Sequence, residues 1–309
     1  MASDGAENNG QTEGVSKDMD QPSSPMWQKA LRIVWRIARP ILIVYLIVVL
    51  AMMYYETRLV YPVPPLQAGD WHPTGFNYED VLFESADGTK LQGWFVPGHS
   101  PSRVILYCHG NGADLSSFGE LATTLSESLH AAVFVFDYRG YGHSQGRPSE
   151  TGCIADGNAA QHWLAERTGV RPNDVVLIGR SLGSAVAVAL AAENGARALV
   201  IENAFPTMTD VAALHYPWLP IRLTMSNRYD NLSRIQRYTG PLLQSHGTQD
   251  EFIPLSFARR LFDVAPSTNK RWLEFAGLRH NSAMPHRYYD ELAEFLNSRA
   301  RDASLPVSR

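Results

Sequence analysis

From residue 81 onward, short unbroken apolar runs alternate with longer stretches in which apolar and polar positions interleave. Residues 81–85 and 91–96, separated by Asp87-Gly88, predict a β-hairpin. Residues 104–107, 132–136, 175–178 and 198–201 predict buried strands, with helices between them near 118–129, 154–167 and 182–192. Two more strand–helix pairs follow, strands at 241–246 and 272–275 and helices near 256–264 and 286–299. This alternation predicts an α/β fold, a parallel sheet covered by helices on both faces. Ligand sites in such sheets lie beyond the carboxyl ends of the strands. Residues 205–238 interrupt the pattern with prolines and aromatics, among them His215-Tyr216-Pro217-Trp218-Leu219-Pro220. They read as a small cap over the site, the alternative being a surface excursion packed by its own aromatics.

The N-terminal quarter has a different pattern. Residues 1–25 are rich in Ser, Asn, Gly, Gln and acidic residues without apolar periodicity, which predicts a disordered tail. No charge occurs from Pro40 to Tyr55, and Ile37-Ala38 extend the apolar stretch if Arg39 snorkels toward headgroups. Residues 26–56 therefore read as a single transmembrane anchor, with 57–76 as a proline-rich linker, 77–300 as the α/β domain and 301–309 as a disordered end. Lys29, Arg32, Arg36 and Arg39 precede the run, and Tyr54, Tyr55 and Tyr61 follow it as interfacial aromatics. That asymmetry predicts a cytoplasmic N-terminus and an extracytoplasmic domain. A cleaved signal peptide and a buried helix are the alternatives; Ala51-Met52-Met53-Tyr54-Tyr55 offers no small-x-small cleavage site, which favours the anchor.

Composition narrows the classes. With 309 residues, 45% hydrophobic and 19% charged, the chain suits one large domain plus an appendage. A net charge of −4, without a basic block in the globular part, gives no footprint for nucleic acid. The two cysteines, Cys108 and Cys153, read as buried thiols. No HExxH motif or histidine cluster suggests a metal, and the glycine-rich turn after residue 136 lacks dinucleotide spacing, so no cofactor is expected. Arg139, in that turn, reads as a brace for loops near the site.

The candidate chemistry centres on Ser181 in Gly179-Arg180-Ser181-Leu182-Gly183, between a predicted strand and an alanine-rich helix. A strand, a sharp turn and a helix converging on one hydroxyl make a nucleophile elbow. A plain helix start could also produce the five-residue pattern. A serine hydroxyl needs a base within reach and an acid to orient that base. Asp250, just past the strand at 241–246, and His280, in the loop after the last strand, supply both in the chain order Ser, Asp, His. Glu251 and Glu202 are the rival acids; Glu251 is expected to point elsewhere and Glu202 to be structural. His109, His143, His215, His246 and His286 read as loop, cap or core residues. The backbone amides of Leu182 and Asn111, the latter in Cys108-His109-Gly110-Asn111-Gly112, are the candidate oxyanion donors.

Residues 59–296 resemble the membrane-anchored α/β-hydrolase domain-containing protein 13/17-like family and its bacterial relatives. The motifs are Tyr107-Cys108-His109-Gly110-Asn111, Asp137-Tyr138-Arg139-Gly140-Tyr141-Gly142, Gly179-Arg180-Ser181-Leu182-Gly183, Ile201-Glu202-Asn203-Ala204-Phe205, Gly247-Thr248-Gln249-Asp250 and His280-Asn281. The resemblance implies the α/β-hydrolase fold, a Ser181, Asp250, His280 triad and a single-pass anchor. Relatives near protein 17 look like acyl-protein thioesterases; others resemble serine aminopeptidases. Apart from the resemblance, the placement beside a bilayer and the aromatic cap suggest a lipid-like acyl chain. The chain departs from the pattern at Ser282, where relatives often carry an acid, and at Leu278-Arg279, where small residues are usual. It also lacks a cysteine-rich N-terminus. The expected activity is cleavage of a carboxylic ester or thioester through an acyl-enzyme, with a peptidase or a non-catalytic scaffold as alternatives.

Overall fold

The structure, a computed structural model, describes residues 1, 25–66, 69–99 and 101–302. The expected terminal tails lie outside the described residues, apart from Met1, Pro25 and the last turn of the final helix. The chain divides into two units at Leu50/Ala51.

Helix α1, Met26–Val60, begins in the first unit and ends in the second. At 1.5 Å per residue it is about 52 Å long, and its side chains up to residue 50 are exposed almost throughout. It is long and apolar enough to cross a membrane. Thr57 to Val60, expected to be linker, are helical. Tyr61, expected at an interface, is buried, and its hydroxyl donates to Asn227 Oδ1 at 2.8 Å.

The second unit holds an eight-stranded sheet. Strands β1 (Glu79–Glu84) and β2 (Lys90–Val96) form the predicted hairpin. Then come β3 (Arg103–Cys108), α2 (Gly119–Leu129), β4 (Ala131–Phe136), α3 (Glu150–Thr168), β5 (Val176–Arg180), α4 (Leu182–Asn194) and β6 (Ala198–Glu202). Residues 205–238, expected to form a cap and called so below, contain three short helices, α5 (Met208–His215), α6 (Ile221–Thr224) and α7 (Asn231–Ile235). Strand β7 (Leu242–Gly247), α8 (Leu255–Val264), β8 (Lys270–Phe275) and α9 (His286–Asp302) complete the domain.

The strand order is β1-β2-β4-β3-β5-β6-β7-β8, and β2 alone runs against the others. Both faces are covered, which is why the central strands are continuous apolar runs. Leu106, Cys108, Leu177, Leu199 and Ile201 point to the side packed by α3 and α4; Ile105, Tyr107, Val176, Ile178 and Val200 point to the side packed by α2 and α9. Helix α4 is alanine-rich because every residue from Leu182 to Ala191 is buried. Helix α3 starts earlier than the apolar pattern suggested, because Ser149 caps it by accepting from the Gly152 amide at 3.1 Å.

The chain order reverses at β3, with β4 on one side and β5 on the other. In such sheets ligand sites lie at this reversal, beyond the carboxyl ends of β3 and β5. The joint between β5 and α4 is built there on contacts that leave no room for a side chain. A Cβ at Gly183 would collide with the Cys108 carbonyl, and one at Gly179 with the Gly183 carbonyl. Gly183→Ala is expected to cost about 3 kcal/mol and lower the thermal midpoint by roughly 6–12 °C; an unchanged midpoint by scanning calorimetry would contradict this packing.

Candidate active site

Ser181 leaves β5 with φ 52° and ψ −117°, a left-handed backbone rare for a non-glycine residue. Its own amide donates to the Glu202 carbonyl at 2.9 Å, and the Ser184 hydroxyl donates to the Ser181 carbonyl at 2.6 Å. The side chain is thereby thrust out of the sheet edge at the head of α4. Leu182 is the first residue of that helix, so its amide is one of the donors a helix leaves without an internal partner.

The loops after β7 and β8 bring the predicted partners to this point. Ser181 Oγ and His280 Nε2 are 3.0 Å apart, and His280 Nδ1 lies 2.7 Å from Asp250 Oδ2. A carboxylate accepts only, so Nδ1 carries the proton and Nε2 is left to accept from the serine hydroxyl. Burial alone would raise the pKa of Asp250. Donation from His280 and from the Ile253 and Phe252 amides, at 2.8 and 2.9 Å, outweighs it and holds the carboxyl below its ordinary value. His246, on β7, flanks the same carboxylate: its Nε2 lies 3.5 Å from Asp250 Oδ2 and donates to the Ile253 carbonyl at 2.9 Å. Its burial depresses its pKa and favours the neutral ring.

The loop after β3 lies against Ser181. A Cβ on Gly110 would sit 3.3 Å from Ser181 Cβ and 3.2 Å from the Arg180 carbonyl. Asn111 is held by its side chain: Nδ2 donates to the Val60 carbonyl at 2.6 Å and Oδ1 accepts from the Tyr141 hydroxyl at 2.8 Å. The Gly112 amide donates to Pro62 O at 3.2 Å, and the Tyr138 hydroxyl to His109 O at 3.1 Å. The end of α1 is therefore fastened to this loop. It is also fastened to the cap, where the Glu56 carboxylate accepts from the Ser226 and Asn227 amides and from Asn227 Nδ2.

Four contributors escaped the sequence reading. Arg180, next to the serine, donates to the carbonyls of His280 and Ser282, both at 2.7 Å. Asn203, at φ 47° just after β6, donates to the same His280 carbonyl at 2.8 Å. Glu251 does not point away: it accepts from the His280 amide at 3.2 Å and from Arg279 at 3.0 Å. His246 is the fourth. An arginine at the end of a buried strand and an asparagine opening a loop were the available signals, since buried polar groups demand partners. Glu202 is structural, as expected. It is buried, accepts from the Tyr288 hydroxyl, and its pKa is raised by burial against the opposing charge of Arg180. Arg139 braces α3 and the hairpin turn, through Asp156 at 2.8 Å and Asp87 at 2.7 Å. Both thiols are buried, which pushes each pKa up to about 12 and leaves them un-ionised.

Comparison with known proteins agrees with this fold. A profile of the α/β-hydrolase fold matches residues 103–232. Rv2307c of Mycobacterium tuberculosis is 39% identical over 243 residues, covering 76% of this chain and 83% of that protein. WAV2 of Arabidopsis thaliana, an α/β-hydrolase domain-containing protein, is 30% identical over 74% of this chain and 82% of its own length. Bem46 of Schizosaccharomyces pombe is 29% identical over 85% and 92%. Among solved structures, the esterase Pf2001 of Pyrococcus furiosus superposes with a TM-score of 0.63 at 20% identity, over 76% of this chain and 96% of that one. The acetyl xylan esterase of Paenibacillus sp. R4 gives 0.60 at 17%, over 80% and 93%. The structures share the fold; the sequence relatives, together with the site motifs, show that this chain belongs to the α/β-hydrolase family, in the branch that includes WAV2, bem46 and their bacterial relatives.

Proposed function

We propose that this protein is a membrane-anchored serine hydrolase that cleaves a carboxylic ester or thioester, with a lipid-like acyl group, through an acyl-enzyme. The observation that carries the reading is the pair of distances at His280: 3.0 Å to Ser181 Oγ and 2.7 Å to Asp250 Oδ2. In this reading α1 is the anchor, and the basic residues before its apolar run keep the N-terminus cytoplasmic and the domain on the opposite side.

Ser181 Oγ attacks the carbonyl carbon while its proton passes to His280 Nε2. Asp250 stays ionised and stabilises the imidazolium through Nδ1–H. The carbonyl oxygen, now an alkoxide, takes hydrogen bonds from the Leu182 and Asn111 amides, each donor of this kind contributing on the order of 3 kcal/mol. Collapse breaks the bond to the leaving group, which departs with the proton from His280. The acyl-serine is then attacked by water, with His280 again taking a proton and returning it to Ser181. Phe252, whose ring centre is 5.3 Å from that of His280, walls one side of the imidazole.

A fluorophosphonate probe on the full chain in detergent tests the nucleophile: wild type is expected to label and Ser181→Ala not, whereas equal labelling would contradict it. On a panel of esters and thioesters, long acyl chains are expected to give the higher kcat/KM, and a preference for acetyl or aminoacyl substrates would remove the lipid-like acyl group. Asn111→Ala frees the loop from Val60 and Tyr141 while keeping the backbone amide, so kcat is expected to fall roughly 10- to 100-fold with KM little changed; an unchanged kcat would take this loop out of the oxyanion site.

The depressed pKa of Asp250 makes a stability prediction with a definite sign. A carboxyl whose folded-state value lies below its unfolded value, near 4, contributes stability above that value and loses it as pH falls through the folded-state value. The stability advantage of wild type over Asp250→Asn is therefore expected to be constant above about pH 5 and to shrink as pH falls through about 4 and on through the lower folded-state value. Thermal unfolding of both proteins measures it, and a gap that stays constant would mean the carboxylate is not held ionised.

A further inference from the structure

The cap turns apolar side chains outward. Leu214 on α5 and Leu223 on α6 are 46% and 85% exposed, and Tyr216 between them 41%, while Leu219 and Met225 from the same stretch are buried. α5 packs on α6, so the exposed groups stand on neighbouring elements. Their inward-facing neighbours already fill the cap interior, and adjacent exposed apolar groups of this kind mark an interaction surface.

The base of the cap identifies the occupant. Ser226 and Asn227, just after Leu223 and Met225, bind the carboxylate of Glu56 at 2.7 to 3.1 Å. Glu56 is the first charged residue after the apolar run that ends at Tyr55. The cap is thus fastened to the first polar group past the anchor's apolar segment, within a helical turn of the aromatic pair Tyr54 and Tyr55. Its composition suits an interface: tyrosine and leucine face outward, and the one carboxylate of Asp210 is shared by Arg222 of the cap and Arg260 of the adjoining α8, which leaves a net positive charge on this group of three. The surface also connects to the site. His215, at the end of α5, donates to the carbonyl of Phe252, whose ring faces His280.

We propose that the outward face of the cap, from Leu214 to Leu223, docks on the lipid bilayer at the headgroup–acyl boundary, so that the acyl substrate enters the site laterally from the membrane. This rests on the reading of α1 as an anchor. The docking brings the cap to the lipid, and the segment that carries Glu56 continues into Val60 and Pro62, whose carbonyls accept from the loop after β3.

Depth-dependent quenching on the full chain in phosphatidylcholine vesicles tests the docking without recourse to turnover. An environment-sensitive fluorophore is attached at Leu223→Cys, with Val44→Cys in the apolar run and Leu82→Cys on the exposed edge strand as references. Cys108 and Cys153 are fully buried and do not compete for the label. Lipid-borne nitroxide is expected to quench the label at positions 44 and 223 at least threefold more than at position 82. Quenching at 44, with 223 behaving like 82, would overturn the docking and leave the anchor standing. Quenching at neither 44 nor 223 would overturn both. Loss of esterase activity with quenching intact would instead count against the serine hydrolase reading alone.

Discussion

The left-handed turn at Ser181 is the constraint on which the site depends. A non-glycine residue at φ 52° costs on the order of 1–3 kcal/mol and persists only where its surroundings over-determine it. Here they do. The Ser181 amide is taken by Glu202 on the next strand, Gly179 and Gly183 let β5, α4 and β3 close to backbone contact, and α4 is buried along its first ten residues. The turn cannot relax without opening the centre of the sheet. The same turn carries Arg180, which grips the carbonyls of His280 and Ser282, so one piece of backbone positions both the hydroxyl and the loop that holds His280.

Electrostatics follows from the same geometry. Asp250 accepts from two backbone amides as well as His280, so its ionised form is favoured despite burial. Glu202, close by but supported by the Tyr288 hydroxyl and Arg180, has its pKa raised by burial instead. Two carboxylates beyond neighbouring strands thus shift in opposite directions, Glu202 because its burial is deeper and Asp250 because more donors offset its own. His280 is held from behind by Asn203, Arg180 and Glu251, none of which touches its ring. These contacts fix its backbone and leave both ring nitrogens for Asp250 and Ser181.

The sheet and the three central side chains were legible in the sequence because both rest on local patterns. Unbroken apolar runs mark strands buried on two faces, and a serine between glycines at a strand–helix joint marks a turn with one geometry. Asp250 and His280 could be chosen because loops at strand ends converge wherever the sheet is parallel. Arg180, Asn203 and Glu251 were not legible, since they bond to backbone groups up to 102 residues away and no spacing encodes such a pairing. Tyr61 was misplaced for a similar reason. An aromatic beside an apolar run reads as interfacial, and only the fold shows Asn227 and Tyr229 waiting for its hydroxyl. The extra turn of α1 past residue 56 was hidden because Thr57 to Val60 hold no helix signal, and it is the cap and the loop after β3 that fasten it.

The central claim is that one hydroxyl, activated by one imidazole, carries the acyl group between substrate and water. Acid quenching during turnover of a slowly deacylated ester, followed by peptide mass mapping, reads that intermediate directly. The account predicts a mass increment equal to the acyl group on the peptide containing Ser181, at up to one equivalent per chain. Turnover with no acylated peptide, or with the acyl group on another residue, would contradict it.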